Sequence, residues 1–358
     1  MLATEIRYIP HQTAPPGASL RAAIAKLGMT QAELADRTGL SLKHINQVIQ
    51  GVAPLTHETA LLLERATGVP ARTWNALEAS YRDSLARVQD RERLKSEAEW
   101  LKEIPVKELT ERGYLPKNAD RASLLERVCQ FFGVANKDAW ESVWRSPLAS
   151  FRKSPTIESE TGAVAAWLRI GELEATSIDC EPFDERRLRE ALHEVRTLTT
   201  AEPDHFVPRL VKLCAEAGVA VTFVPEIKGT RCWGAARWIS PTKALIQLSL
   251  RYKTDDHLWF SLFHEVAHLL LHSKKETFIT TDRFRTDAEK EADTFATHFL
   301  VPRQYDARLK ELTLPEVRSF ADEVGVAPGV VVGRLQKEGI LKWSEGNSLK
   351  RRFEFVQS

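Results

Sequence analysis

The sequence predicts an α+β protein that is mostly helical, with an all-α helix-turn-helix domain at the N-terminus and a later domain built on a small β-sheet. Three observations predict it. Residues 19–77 break into short helices punctuated by capping residues and glycines. Apolar, β-branched runs of strand length fall within 219–249. The stretch 255–271 then runs long and apolar without Gly or Pro, and it carries His264-Glu265-Val266-Ala267-His268.

At 358 residues the chain has room for two or three domains, and a hydrophobic fraction of 43% supports real cores. The expected division is a helix-turn-helix domain over 18–79, a helical connecting region over 80–176, a domain around the His-Glu motif over 177–302, and a helical extension over 303–358. A net charge of +1 predicts no strong non-specific attraction to nucleic acid. No apolar run approaches membrane-spanning length, and the first residues form no apolar signal segment. Cys129, Cys180, Cys214 and Cys232 are scattered without a C-x-x-C pair, which argues against a zinc knuckle and fits a reducing compartment. The expected location is cytoplasmic, with no membrane partner.

Taken in order, residues 1–17 end in Thr-Ala-Pro-Pro-Gly and read as an arm or loop. Thr30-Gln31-Ala32-Glu33 is a capping box, Gly39 a tight turn, and Ser41 the cap of a second helix that stops at Gly51. Leu34, Ala35, Leu40, Ile45, Val48 and Ile49 make the inward face. This is helix-turn-helix spacing, with 41–50 as the recognition helix. Lys43, His44 and Gln47 project outward and can reach base edges, while Gln31 opens the preceding helix, where phosphate is commonly met. A solvated polar face or a protein-binding surface is the plainer alternative. Weak net charge implies modest affinity per module, hence a homodimer reading a two-fold operator in double-stranded DNA.

From 71 to 102 the chain is helical and charged, with Leu77, Tyr81, Leu85, Val88 and Leu94 at helical spacing, either a connecting helix or a dimer seam. Leu124, Leu125, Val128, Phe131 and Phe132 form an apolar patch, with Trp140 and Trp144 near it as core. Ser154-Pro155 marks a joint. Residues 184–198 and 203–216 read as helices, 219–224 as a strand, and 233–239 with 244–249 as a hairpin leading into the long apolar helix.

On that helix His264 and His268 stand one turn apart on one face, and two neutral imidazoles so spaced grip one side of a tetrahedral zinc. Glu265 is then placed to take a proton from a water. Asp255-Asp256 offers a cap. A chance H-E-x-x-H is the bland alternative. The next helix, 286–300, shows an apolar face of Ala288, Ala292, Phe295, Ala296 and Phe299. Glu289 and Glu291 fall on opposite borders of it, so periodicity does not choose a third ligand between them. Asp293, one turn beyond Glu289, is placed to orient a ligating imidazole. Glu289 also completes a capping box with Thr286, and one side chain does not easily do both jobs. His272 reads as an outer partner or a surface cap. His298 and Cys180 are weak ligand candidates, and no residue stands out as an oxyanion donor.

Leu262-Phe-His-Glu-Val-Ala-His-Leu-Leu-Leu-His272, with Glu289-x-Glu-Ala-Asp-x-Phe-Ala296 and Leu300-Val-Pro302, resembles the ImmA/IrrE metallopeptidases over roughly 180 to the C-terminus. The resemblance implies a zincin-like core and a zinc endopeptidase acting on DNA-bound repressors of the helix-turn-helix class. It implies His264, His268 and Glu289 as metal ligands, Glu265 as general base, and a sheet edge that holds extended substrate. It favours the first glutamate of the Glu-x-Glu pair. Residues 29–51 resemble the Cro/repressor (XRE) class, especially HigA-type antitoxins. Together these imply a DNA-binding transcriptional regulator fused to a zinc endopeptidase that cleaves a repressor-like protein, or itself. The rival reading is a HigA-like antitoxin or autorepressor with a cognate toxin, its zincin domain a non-catalytic binding or sensing module. After Pro302 the run 314–339 repeats the helix-turn-helix rhythm. Its second helix shows Pro328, Gly329, Val330 and Val331 where a DNA reader would be polar, which implies packing against the core.

Overall fold

A computed structural model describes residues 14–146, 158–274, 277–281 and 286–356; the Ser154-Pro155 joint lies outside them. The chain divides into two compact units, Met1–Ala98 with Asp120–Leu125, and Glu99–Ala119 with Glu126–Ser358. The fold is α+β and mostly helical, with a four-stranded mixed sheet. No helix among the described residues is long and apolar enough to cross a membrane.

The first unit is all-α. Helices α1 (Pro16–Lys26), α2 (Gln31–Thr38), α3 (Leu42–Ile49), α4 (His57–Thr67) and α5 (Ala71–Ser96) enclose Leu20, Leu34, Ile45, Leu63 and Trp74. Both halves of the Thr30/Glu33 capping box form. Gly39 ends α2 at φ 74°, a left-handed turn that costs glycine nothing. The Ser41 side chain then accepts the His44 N–H at 3.1 Å and starts α3. Along α5, Leu94 is buried but Val88 is 59% exposed, so the spacing of its apolar residues does not amount to a buried stripe.

In the second unit, Phe132 packs edge-on against Trp140 and Trp144, and Trp140 meets Trp100; these tryptophans are core. Helix α6 (Glu158–Ala175) lies on the sheet, where Gln247 Nε2 donates to the Trp167 carbonyl at 2.7 Å. Helices α7 (Glu185–Thr197) and α8 (Pro203–Glu216) lead into β1 (Val219–Phe223). Strands β2 (Cys232–Ser240) and β3 (Lys243–Leu248) form the expected hairpin. Helix α9 (Asp255–Leu271) follows, then β4 (Phe278–Thr281), a strand the sequence reading did not anticipate. The strand order is β1-β3-β2-β4, with β1 parallel to β3 and the other pairs antiparallel. Helix α10 (Asp287–Leu300) packs along α9. Arg196 of α7 donates to the carbonyls of Leu300 (3.0 Å) and Val324 (2.7 Å), satisfying helix-end acceptors.

The second helix-turn-helix rhythm is realised as α11 (Val317–Val324) and α12 (Pro328–Lys337), joined through Gly325. Its second helix is buried, with Val330, Val331 and Val332 in the same core as α9. A Cβ at Gly329 would sit 2.2 Å from Asp255 Oδ1, and one at Gly333 would sit 2.7 Å from Asp256, so the two glycines let α12 approach the start of α9.

That start is not the cap expected of Asp255-Asp256. Thr254 is the N-cap residue, no side chain caps the helix, and both aspartates are buried in its first turn. Lys350 reaches Asp256 at 2.6 Å with both side chains 7% exposed, and it also donates to Gln336 Oε1 at 2.7 Å. Arg351 lies 3.6 Å from Asp255, whose carboxyl is pushed up to about 6 by burial and by the neighbouring Asp256. The basic tail thus staples the C-terminus to the first turn of α9. Replacing Lys350 with Met leaves Asp256 buried without its cation and is expected to cost about 3–5 kcal/mol in a urea unfolding titration.

Candidate metal centre and nucleic-acid interface

Helix α10 brings one glutamate of the Glu-x-Glu pair to the two histidines of α9. His264 and His268 face the same way from α9, 1% exposed each, and their Nε2 atoms lie 3.0 Å apart. Glu289 crosses from α10 to both, with Oε2 at 3.0 Å from His264 Nε2 and Oε1 at 3.4 Å from His268 Nε2. The donor atoms of His264, His268 and Glu289 all lie within 4.8 Å of one another. Glu291 points elsewhere: it is 64% exposed and meets His272 Nε2 at 3.2 Å. Thr286 still accepts the Glu289 N–H at 3.2 Å, so half of the capping box survives while the Glu289 side chain serves the histidines.

The other ring nitrogens are held from behind. His264 Nδ1 is 3.0 Å from Asp293 Oδ1, and His268 Nδ1 is 3.0 Å from His272 Nδ1. Phe278 of β4 stacks on His268 at 4.2 Å between centroids, which fixes the imidazole plane. His298 hydrogen-bonds the Thr294 carbonyl, and Cys180 sits near the Ile178 carbonyl with its pKa raised by burial; neither joins the donor group.

Glu265 is fully buried between α9 and the sheet. Thr280 Oγ1 donates to its Oε1 at 2.7 Å, while Oε2 has no hydrogen-bond partner among the described residues. Gly234 pairs directly opposite Thr280, and a Cβ there would lie 2.4 Å from Glu265 Oε1. The carboxyl therefore occupies space that only glycine leaves. Burial raises its pKa to about 8, against the opposing pull of His264 and Thr280. For Glu289, burial raises the pKa, but hydrogen bonds and charge from the two imidazoles outweigh it and hold the carboxyl low. His264 moves up: the carboxylates of Asp293, Glu289 and Glu265 overcome its desolvation.

On α3, Lys43 is exposed and His44 and Gln47 are half-buried; Gln31, half-buried, is the first residue of α2. Leu42, passed over in the sequence reading, is 46% exposed at the first position of α3. Thr280 and Gly234 were also missed. Only the strand pairing brings them to Glu265, and no spacing in the sequence signals it.

Helix α9 thus sets its H-E-x-x-H against an α10 glutamate, above a small mixed sheet. Residues 234–336 match the family model described as IrrE N-terminal-like domain (Peptidase_M78). Residues 20–74 match the helix-turn-helix model HTH_3. The chain thus carries an XRE-type DNA-binding helix-turn-helix followed by an IrrE/ImmA-like peptidase domain. The search of curated proteins returned no significant match.

The donor set is tested by metal content. Wild type and Glu265→Gln are expected to hold about one zinc per chain, as is Glu291→Ala, whereas Glu289→Ala loses it. Inductively coupled plasma mass spectrometry on the purified variants reads this directly.

Proposed function

We propose that this chain is a DNA-binding transcriptional regulator and a zinc-dependent endopeptidase whose substrate is a repressor-like protein or the chain itself. The observation that carries the peptidase reading is the arrangement of Glu265. It is held by Thr280 through one oxygen, has no partner among the described residues at the other, and stands beside the donor group made by His264 and His268 of its own helix and Glu289 of α10.

The donors suit zinc, two imidazole nitrogens and one carboxylate being a familiar open set for it. When bound, zinc supplies Lewis acidity that brings the ionisation of a water towards neutrality. The rest is the chain's own work. Glu265 Oε2 accepts the proton of the attacking water, because Oε1 is already engaged by Thr280. The same carboxyl can return that proton to the leaving amine. Strand β4 presents Thr280 to the site and pairs on one side with β2. Its other edge is placed to hold an extended peptide by backbone hydrogen bonds. Cleaving a helix-turn-helix repressor with a protein that carries its own helix-turn-helix gives a direct switch on transcription. On DNA we place a homodimer on a two-fold operator, with Lys43, His44 and Gln47 at base edges and Gln31 at phosphate.

Two outcomes test the halves separately. Glu265→Gln is expected to keep zinc and operator binding while abolishing cleavage and derepression; cleavage at the wild-type rate by this variant would sink the peptidase reading. Gln47→Ala is expected to cost about 1–3 kcal/mol on the operator alone, whereas Gln31→Ala weakens binding to all sequences alike. Fluorescence anisotropy against operator and scrambled duplexes at matched salt separates the two.

A further inference from the structure

The stripe of α9 that carries the two histidines continues past them. Phe260 lies one turn before His264, and their ring centroids are 6.0 Å apart. Helix α10 runs the opposite way along α9, since Asp293 meets His264 and Glu291 meets His272. Thr297, one turn beyond Asp293, therefore falls on the Phe260 side of the site. Here α9, α10 and α12 leave a cavity of about 430 Å³. Protein interiors hold few voids larger than a water, so this space is kept open by choice of residue. Small residues keep it: Thr297 on α10, with Val330 and Gly333 on α12. The facing wall is aromatic. Tyr252 and His257 stack at 4.2 Å between centroids, and Trp233 meets Tyr252 edge-on at 5.8 Å. Trp233 is the extra residue of β2 where its pairing with β4 slips between Cys232 and Gly234. Such a bulge re-aims a side chain, here the one next to the glycine that makes room for Glu265.

Charged groups of the lining are already engaged within the fold. Asp256 is held by Lys350 at 2.6 Å, and Arg334 by Asp306 at 3.2 Å and Glu338 at 2.5 Å. Trp343, also in the lining, is 62% exposed, so the cavity reaches the surface. Its inner end is apolar, with Leu300 and Val330 each 4% exposed. A charge carried that far would exchange water for apolar neighbours, which is costly. We propose that this cavity takes a bulky apolar side chain, a leucine or an aromatic residue, from the peptide that crosses the site. Phe260, Thr297 and Val330 set that preference. The inference rests on the peptidase reading and adds which type of residue stands beside the cleaved bond. The occupant is a side chain of the substrate because the cavity continues the α9–α10 groove that holds the donor group, with Phe260 against His264. Its contents and the reacting carbonyl are neighbours. The volume is in the range that ligand pockets use.

The test uses the full chain, with and without added zinc. The probe is the dye anilinonaphthalene sulfonate, whose emission rises in apolar surroundings. The competitors are the N-acetyl amides of leucine, phenylalanine, lysine and aspartate. Wild type is expected to show a saturable dye site that the leucine and phenylalanine amides empty and the lysine and aspartate amides do not. Thr297→Trp fills the cavity, and Trp343→Ala removes its exposed lip. Each is expected to weaken the dye about 10-fold or more. Trp343→Ala should keep the wild-type thermal midpoint, which guards against a Thr297→Trp that fails to fold. The second readout is digestion of a random peptide library followed by mass spectrometry. Wild type is expected to cut beside bulky apolar residues. In Thr297→Trp, kcat/KM on those peptides is expected to fall about 10- to 100-fold, while peptides with alanine at that position are spared. A dye site untouched by both variants, equal displacement by all four amides, or a cleavage preference that Thr297→Trp leaves unchanged would overturn the pocket. Apolar displacement that both variants abolish, with no cleavage of the library by wild type, would keep the pocket and count against the peptidase reading instead.

Discussion

Helix α9 sets the terms for everything packed around it. It is apolar on nearly every face and lies in the core, yet Asp255, Asp256, His264, Glu265 and His268 are all buried within it. An ionisable group taken out of water costs several kcal/mol unless it is paired. Each neighbouring element can be read as an answer to that cost. Strand β4 brings Thr280 to Glu265 and Phe278 to His268 from alternate positions on one face. Helix α10 brings Glu289 and Asp293, one turn apart, to the histidines. The tail brings Lys350 and Arg351 to the first turn. Among the described residues the pairing is left incomplete at Glu265 Oε2.

Close approach is the second requirement, and glycine meets it at the points where helix or strand would otherwise collide with a carboxyl. Gly234 clears Glu265 from the sheet side, and Gly329 with Gly333 clears the two aspartates from α12. This also explains the second helix-turn-helix rhythm. The helix–glycine–helix turn is the same device in α2–α3 and α11–α12, with Gly39 and Gly325 both at positive φ. Its outer helix differs. In α3 the outward positions are Lys43, exposed, and His44 and Gln47, half-buried. In α12 they are valines and glycines, and the helix is spent on holding α9.

Local signals were legible in the sequence and tertiary ones were not. The capping box at Thr30, the cap at Ser41, the hairpin around 240–243 and the apolar helix carrying H-E-x-x-H are written in spacing and in residue type, so the fold class could be read. Strand β4 could not: four residues beyond a helix end carry too little periodicity to declare themselves. Asp255-Asp256 looked like a cap because acidic residues before an apolar run usually are one. What makes them buried ion-pair partners lies far along the chain, Lys350 for Asp256 and Arg351 for Asp255. Thr280 and Gly234 belong to the same class, since a strand register decides who faces Glu265.

Glu289 shows the same limit from the other side, because two local readings competed for it. As the third residue of a capping box it would turn back to the Thr286 N–H, where the reciprocal bond is worth roughly 0.5–1 kcal/mol of helix stability. The structure keeps the bond that uses the Glu289 backbone and gives up the one that uses its side chain. The side chain goes instead to two buried imidazoles, at 3.0 and 3.4 Å, with only 15% of it left exposed. Desolvating a carboxylate for that purpose costs more than the cap would have returned. Local preference overruled at an ionisable group facing two histidines is the pattern expected where function, rather than stability, has chosen the conformation. Glu291, two residues on and on the other border of the helix, faces no such demand and stays largely in solvent.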